Sequence, residues 1–279
     1  MENLYELSYR ANINVYHYNE KYIILYDDHR TILNILFQAQ KMGIFPQTPN
    51  LIYFDYHDDA CENAPKSELL KKIGVKTLNK ATVKQFWSFV EFDLGSQDDD
   101  WLLTGMELEL IKNAIVIGAE QDHNINLFGG KPYISENGTE HELYSISHLS
   151  NSLDSRGCLG DSLLKEPYYQ RVRNIMQYNT DNNRRFETNI YPFVLDFDLD
   201  CFSTECRNKT MSWPEQIFEQ EYGQGTRAFD FIYNLIDRAS FITVCRESGC
   251  CGGIGEANKI LGYLDRHFFD GTLSTEAIY

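Results

Sequence analysis

The chain is punctuated by short apolar runs that end in acids or histidines. Tyr22–Leu25 runs into Tyr26-Asp27-Asp28-His29, and Leu51–Phe54 runs into Asp55. Ala114–Gly118 is followed by Glu120-Gln121-Asp122-His123, and Phe241–Cys245 by Arg246-Glu247. A further run, Tyr191–Asp200, carries its acids within it. Stretches of helical character lie between these runs. Thr31–Lys41 places Ile32, Ile35, Leu36 and Ala39 at helical spacing. Ser67–Ile73, Ala81–Val90, Trp101–Leu110, Ser162–Gln177 and Gly255–Phe268 also read as helices, and Trp213–Arg238 as one or two. Strands separated by helices of this length predict an α/β fold, a doubly wound and mainly parallel sheet with helices on both faces. The expectation is a single domain over residues 1–279, with a loop-rich insertion around 124–161, where Gly, Asn and Ser accumulate. Ligands of such sheets bind beyond the carboxyl ends of the strands. The acids and histidines follow the apolar runs, so they fall at that edge.

Two clusters there carry the chemistry. In Asp55-Tyr56-His57-Asp58-Asp59, alternation would bring Asp55, His57 and Asp59 to one face if the extended backbone continued. In Asp196-Phe197-Asp198-Leu199-Asp200, three carboxylates alternate with buried-type residues. Like charges so close cannot all stay ionised in a low dielectric without a cation, and a metal ion resolves the conflict. His29, at the end of the preceding run, is a further candidate ligand. Carboxylates with imidazoles and no thiolate favour Mn²⁺, Mg²⁺ or Fe²⁺ over structural zinc. Asp55, Asp59, Asp198 and Asp200 together balance two divalent ions, and such pairs generate a hydroxide nucleophile at neutral pH. Within the late run the ligand pair is either Asp196/Asp198 or Asp198/Asp200. The later pair is preferred as nearer the strand's end, which leaves Asp196 and Asp28 to support the ligands from behind.

Composition narrows the function. The formal net charge of −16 disfavours nucleic acid and anionic membranes and favours cationic ligands. The seven cysteines form no CxxC pair, residues 1–10 lack the apolar core of a signal peptide, and no run is long enough to span a bilayer. The expected location is a reducing cytoplasm. Cys245, Cys250 or Cys251 acting as a nucleophile is a competing reading, as is a metal-binding module without activity.

The ordered set of His29, Asp55-x-His57-x-Asp59 and Asp198-x-Asp200 resembles the arginase/ureohydrolase superfamily over Tyr22 to about Cys250. The wording departs from ordinary arginases. Tyr-Asp-Asp-His29 replaces a glycine-rich segment, Asp196 stands where a serine is usual, and Cys201-Phe-Ser replaces an aspartate–proline. These departures resemble the divergent branch of peptide arginases, of the OspR type. The resemblance implies an arginase-like fold and two Mn²⁺ ions per chain held by His29, Asp55, His57, Asp59, Asp198 and Asp200. It implies hydrolysis of arginine side chains in a ribosomally made precursor peptide to ornithine and urea. Glu247 would then bind the guanidinium, Asp59 would accept the nucleophile's proton, and His123 would stand in for the family's proton-shuttle histidine. A small-guanidine hydrolase of agmatinase type, or an amidohydrolase of the same fold, is the alternative.

Overall fold

The structure, a computed structural model, describes residues 12–61, 64–95, 99–118, 132–149, 153, 167–177, 191–206 and 208–278. A seven-stranded sheet forms its centre. In chain order its strands are β1 (Asn14–Tyr18), β2 (Lys21–Tyr26), β3 (Asn50–Asp55), β4 (Ala114–Gly118), β7 (Leu143–Ser147), β8 (Phe193–Asp198) and β11 (Ile242–Cys245). Two small hairpins, β5 (Tyr133–Ile134) with β6 (Glu140–His141) and β9 (Ser203–Cys206) with β10 (Lys209–Ser212), stand apart from it. The spatial order is β1-β2-β11-β8-β3-β4-β7. Only β1 is antiparallel to its neighbour; the other pairings are parallel.

Each interior strand is buried on both sides, and successive residues pack into different layers. Leu51 and Tyr53 join one apolar cluster, and Ile52 and Phe54 the other. The first layer contains α1 (Thr31–Lys41), α2 (Lys66–Ile73), α3 (Val83–Asp93) and α4 (Trp101–Glu107). The second contains α5 (Tyr168–Gln177), α6 (Glu215–Tyr222), α7 (Arg227–Arg238) and α8 (Ile254–Phe268). From β3 the chain moves outward to β4 and β7, then returns to β8 on the other side of β3. The winding therefore reverses between β3 and β8, the position where open α/β sheets form a ligand crevice.

The sheet and its two helical layers agree with the expected class, and α1 and β4 match their expected bounds. Other expectations are corrected. Leu143–Ser147, within the stretch read as loop-rich insertion, is an edge strand pairing in parallel with β4. Tyr144 and Ser145 are only partly buried there, so the run shows neither clean alternation nor a continuous apolar stretch. The expected strand over Tyr191–Asp200 stops at Asp198 and gives way to a 3-10 turn, Leu199–Phe202. Its cause is a side chain: Asp198 Oδ1 accepts the Asp200 N–H at 3.1 Å, which competes with the strand ladder. Trp213–Arg238 holds two helices, separated where Thr226 caps the second by accepting from the Phe229 N–H. Among the described residues no helix is long and apolar enough to cross a membrane.

Candidate metal centre

Asp55 ends β3 and Asp198 ends β8, two neighbouring parallel strands at the reversal of winding. Both use one oxygen in the same way. Asp55 Oδ1 accepts the His57 N–H at 2.7 Å, as Asp198 Oδ1 accepts from Asp200. These local bonds turn the chain out of the sheet immediately after each strand. The continued alternation expected for Asp55-x-His57-x-Asp59 is therefore absent. The residues still converge, but through turns: Asp59 sits at φ +49°, in the left-handed region.

The second oxygens of the two aspartates define the site. Asp55 Oδ2 and Asp198 Oδ2 are buried and make no hydrogen bond, and neither does His29 Nδ1. They lie together: His29 Nδ1 is 3.2 Å from Asp55 Oδ2, 3.1 Å from Asp198 Oδ2 and 3.0 Å from Asp59 Oδ2. A neutral imidazole nitrogen could donate to one of these oxygens at most, yet three surround it. Buried unpaired donors and acceptors are costly, and a bound cation removes that cost for all of them together. One such group of donors is His29, Asp55 and Asp198; a second is Asp55, His57 and Asp200. His57 Nδ1 lies 3.1 Å from Asp200 Oδ2 and 3.8 Å from Asp55 Oδ1, so Asp55 belongs to both groups. These buried His/Asp clusters suit a metal ion.

The surroundings orient the donors. His29 Nε2 lies 2.9 Å from Asp196 Oδ2, while Asp196 Oδ1 accepts from the Tyr26 hydroxyl at 2.9 Å and from Thr243 Oγ1 at 2.5 Å. Asp196 is thus consumed behind the imidazole, and Asp198 and Asp200 face the donor groups. Trp101 Nε1 donates to Asp59 Oδ2 at 2.5 Å, and its ring packs on His29 with centroids 4.6 Å apart. Gly118, at the end of β4, leaves room for the Asp55 carbonyl. A Cβ there would lie 1.8 Å from that oxygen, at a φ of +144° that other residues rarely adopt.

Electrostatics follow from this crowding. Burial raises the Asp55 and Asp198 pKa values, reinforced chiefly by Asp59 and Asp200 respectively, and Asp198 is pushed up to about 7. Burial works against a charged His29, but Tyr26 and the carboxylates of Asp196, Asp198 and Asp55 outweigh it and hold its pKa well above 6.5. The hydrogen bond to Asp200 lifts His57 to about 9. Without a cation the cluster retains protons, and binding a divalent ion displaces them.

Other expected residues have different places. Glu247 reaches the same site: one of its oxygens lies within 4.8 Å of donor atoms of Asp198 and Cys245. No basic side chain pairs with it among the described residues, because Arg246 turns away to Asp27 Oδ1 at 2.6 Å. Burial and the nearby Asp198 push Glu247 up to about 10. Asp28 is corrected: instead of supporting the ligands, its two oxygens grip Arg30, at 3.0 and 3.1 Å from Arg30 N and Nε and 2.6 Å from Nη2. His123 lies outside the described residues. Burial raises the pKa values of Cys245, Cys250 and Cys251, so these thiols are protonated at neutral pH and poor nucleophiles.

Sequence reasoning missed Trp101, Tyr26 and Thr243. Thr243 left a signal, a lone hydroxyl within the apolar run Phe241–Cys245; Trp101, far along the chain from Asp59, left none. No protein-family model matches the chain, and no curated protein matches it.

Proposed function

We propose that the chain is a hydrolase working with two Mn²⁺ ions in an arginase-like fold, which converts arginine side chains of a ribosomally made peptide to ornithine and urea. The observation that carries the metal-dependent part is the buried trio of His29 Nδ1, Asp55 Oδ2 and Asp198 Oδ2, all without a hydrogen-bond partner. His29, Asp55, Asp59 and Asp198 would hold one ion, and Asp55, His57, Asp198 and Asp200 the other. When bound, such ions supply a nucleophile from water at neutral pH and offset charge that develops at the attacked carbon.

The chain's own residues do the rest. Glu247, partly buried beside Asp198 and without a basic partner among the described residues, supports a cationic substrate: a guanidinium offers a carboxylate paired, charge-assisted hydrogen bonds. That geometry would hold the guanidinium carbon against the donor groups. Asp59 accepts a proton at the Oδ2 that already receives the Trp101 N–H, and the fixed Trp101 ring keeps this carboxylate in place. Asp196 holds the His29 ring so that Nδ1 faces the site. The exposed Tyr56 and the partly exposed His57 side chain mark the open side, where a peptide could approach.

The test is direct. Protein loaded with Mn²⁺ is incubated with arginine-bearing peptides, with free arginine and with agmatine, and the products are weighed. Loss of CN₂H₂ from peptide arginine is the expected outcome. Turnover of the small guanidines alone would replace this reading with a small-molecule hydrolase, and unchanged masses throughout would end it.

A further inference from the structure

The β11 side of the centre carries donors of mixed chemistry. Cys245 Sγ, an oxygen of Asp198 and an oxygen of Glu247 all lie within 4.8 Å of one another. The strand ladder sets this grouping, because Cys245 of β11 is in register with Asp198 of β8. Cys245 is fully buried, and its thiol has no hydrogen-bond partner among the described residues. The Asp198 side chain is likewise fully buried. Glu247 completes the group from a left-handed position, φ +25°, just beyond the strand.

We infer that Asp198, Cys245 and Glu247 form a third cation position, one that takes a soft, thiophilic divalent ion such as Cd²⁺ or Zn²⁺ beside the two oxygen-rich positions. Thiolate selects soft ions, whereas carboxylate sites suit Mn²⁺ and Mg²⁺. The Cys245 thiol proton passes to solvent as the sulfur–metal bond forms, and no oxidation state changes. The position uses Glu247, so a soft ion bound there would exclude a guanidinium. That consequence alone rests on the function proposed above.

Full-length protein equilibrated with excess Mn²⁺ and titrated with Cd²⁺ tests the position through the ultraviolet charge-transfer absorption of a cadmium–thiolate bond. Wild type and Cys250→Ser should both gain the band, saturating at a single Cd²⁺ per chain, while Cys245→Ser should not. The Cys250 control is needed because that exposed thiol lies 3.6 Å from Glu247 Oε1. Glu247→Gln, at a partly exposed loop position, should keep the band but weaken Cd²⁺ binding by roughly tenfold or more. A band that survives Cys245→Ser, vanishes with Cys250→Ser or never appears in wild type overturns the inference. Circular dichroism and Mn²⁺ content show whether Cys245→Ser is folded; if it is not, the Glu247→Gln titration decides, and unchanged Cd²⁺ affinity there overturns the position. A band without peptide hydrolysis would leave the cation position standing and remove the hydrolase reading; hydrolysis without a band would do the reverse.

Discussion

His29 and His148 are both fully buried, on opposite faces of the same sheet, and they are built for opposite ends. His29 lies among Tyr26, Tyr53 and Trp101 in the first layer, with carboxylates at both ring nitrogens. His148 lies among Phe54, Tyr168 and Trp213 in the second, with Nδ1 3.2 Å from Cys201 Sγ and Nε2 bonded to the Tyr222 hydroxyl, which also receives a bond from Tyr168. Tyr26 and the surrounding acids hold the His29 pKa up, while burial drives His148 down to about 3. Both nitrogens of His148 have hydrogen-bonding neighbours. His29 keeps Nδ1 unbonded beside two unbonded oxygens, Asp55 Oδ2 and Asp198 Oδ2. Burial alone therefore says little about a histidine; the unsatisfied atoms around it separate a metal donor from a packed core group.

Four variants test that contrast. Asp198→Asn, which removes a donor from the His29 group and, on the function proposed above, a ligand of both ions, should have the largest effect. Metal content measured by elemental analysis should vanish and peptide turnover with it, exceeding the roughly 100-fold affinity loss typical of an outer-sphere change. Its melting temperature should also stop rising on addition of Mn²⁺, a gain worth about 2.7 kcal/mol in wild type at 100 times Kd. Normal metal content in Asp198→Asn would break the comparison at its root. Glu247→Gln should lower kcat/KM for peptide arginine by roughly 10- to 100-fold, the worth of a hydrogen bond to a charged partner. Mn²⁺ content should be kept, and an undiminished kcat/KM would remove Glu247 as the anchor.

Asp196→Asn comes next, since it leaves every ligand in place and disturbs only the support behind His29. Mn²⁺ affinity should drop roughly tenfold, toward the lower end of such effects, with little loss of stability. Unaltered affinity by calorimetry would show that His29 needs no such partner. His148→Gln should leave Mn²⁺ binding intact and cost about 1–3 kcal/mol of stability through unmatched hydrogen bonds. It should also change the acid limb of the stability curve. Folded His148 titrates near 3 and the unfolded chain near 6.5, so below pH 6.5 the unfolded state binds a proton that the folded state refuses. Stability is complete above that value and declines as pH falls toward about 3; denaturant melts of His148→Gln should lack this component. An identical acid limb would mean that another group dominates it.

Much of the fold was legible because its signal is local. Apolar runs such as Leu51–Phe54 and Ala114–Gly118 are buried on both faces and read as strands wherever they occur. The helical spacing of Ile32, Ile35, Leu36 and Ala39 reproduces α1 residue for residue. Edge elements were less visible. Asn14–Tyr18 and Leu143–Ser147 are half-covered, so neither alternation nor a continuous apolar run stands out. At the site, the acids and histidines were legible as candidates, but their convergence was argued from an extended backbone that does not continue past Asp55 or Asp198. The turns that replace it come from the same aspartates, each capping with one oxygen and leaving the other unpaired.

The sequence by itself determined which groups could bind a cation and at which edge of the sheet they would stand, because strand periodicity and side-chain chemistry are encoded over a few residues. Tertiary structure decided which of them meet. It set Asp55 and Asp198 side by side through the pairing of β3 with β8, and it placed Asp196 behind His29 rather than among the donors. It also brought Tyr26 of β2 against Asp196 of β8, with Thr243 and Cys245 of β11 beside them. Those choices depend on strand order and register, which pair residues more than a hundred positions apart, and no local pattern carries that information.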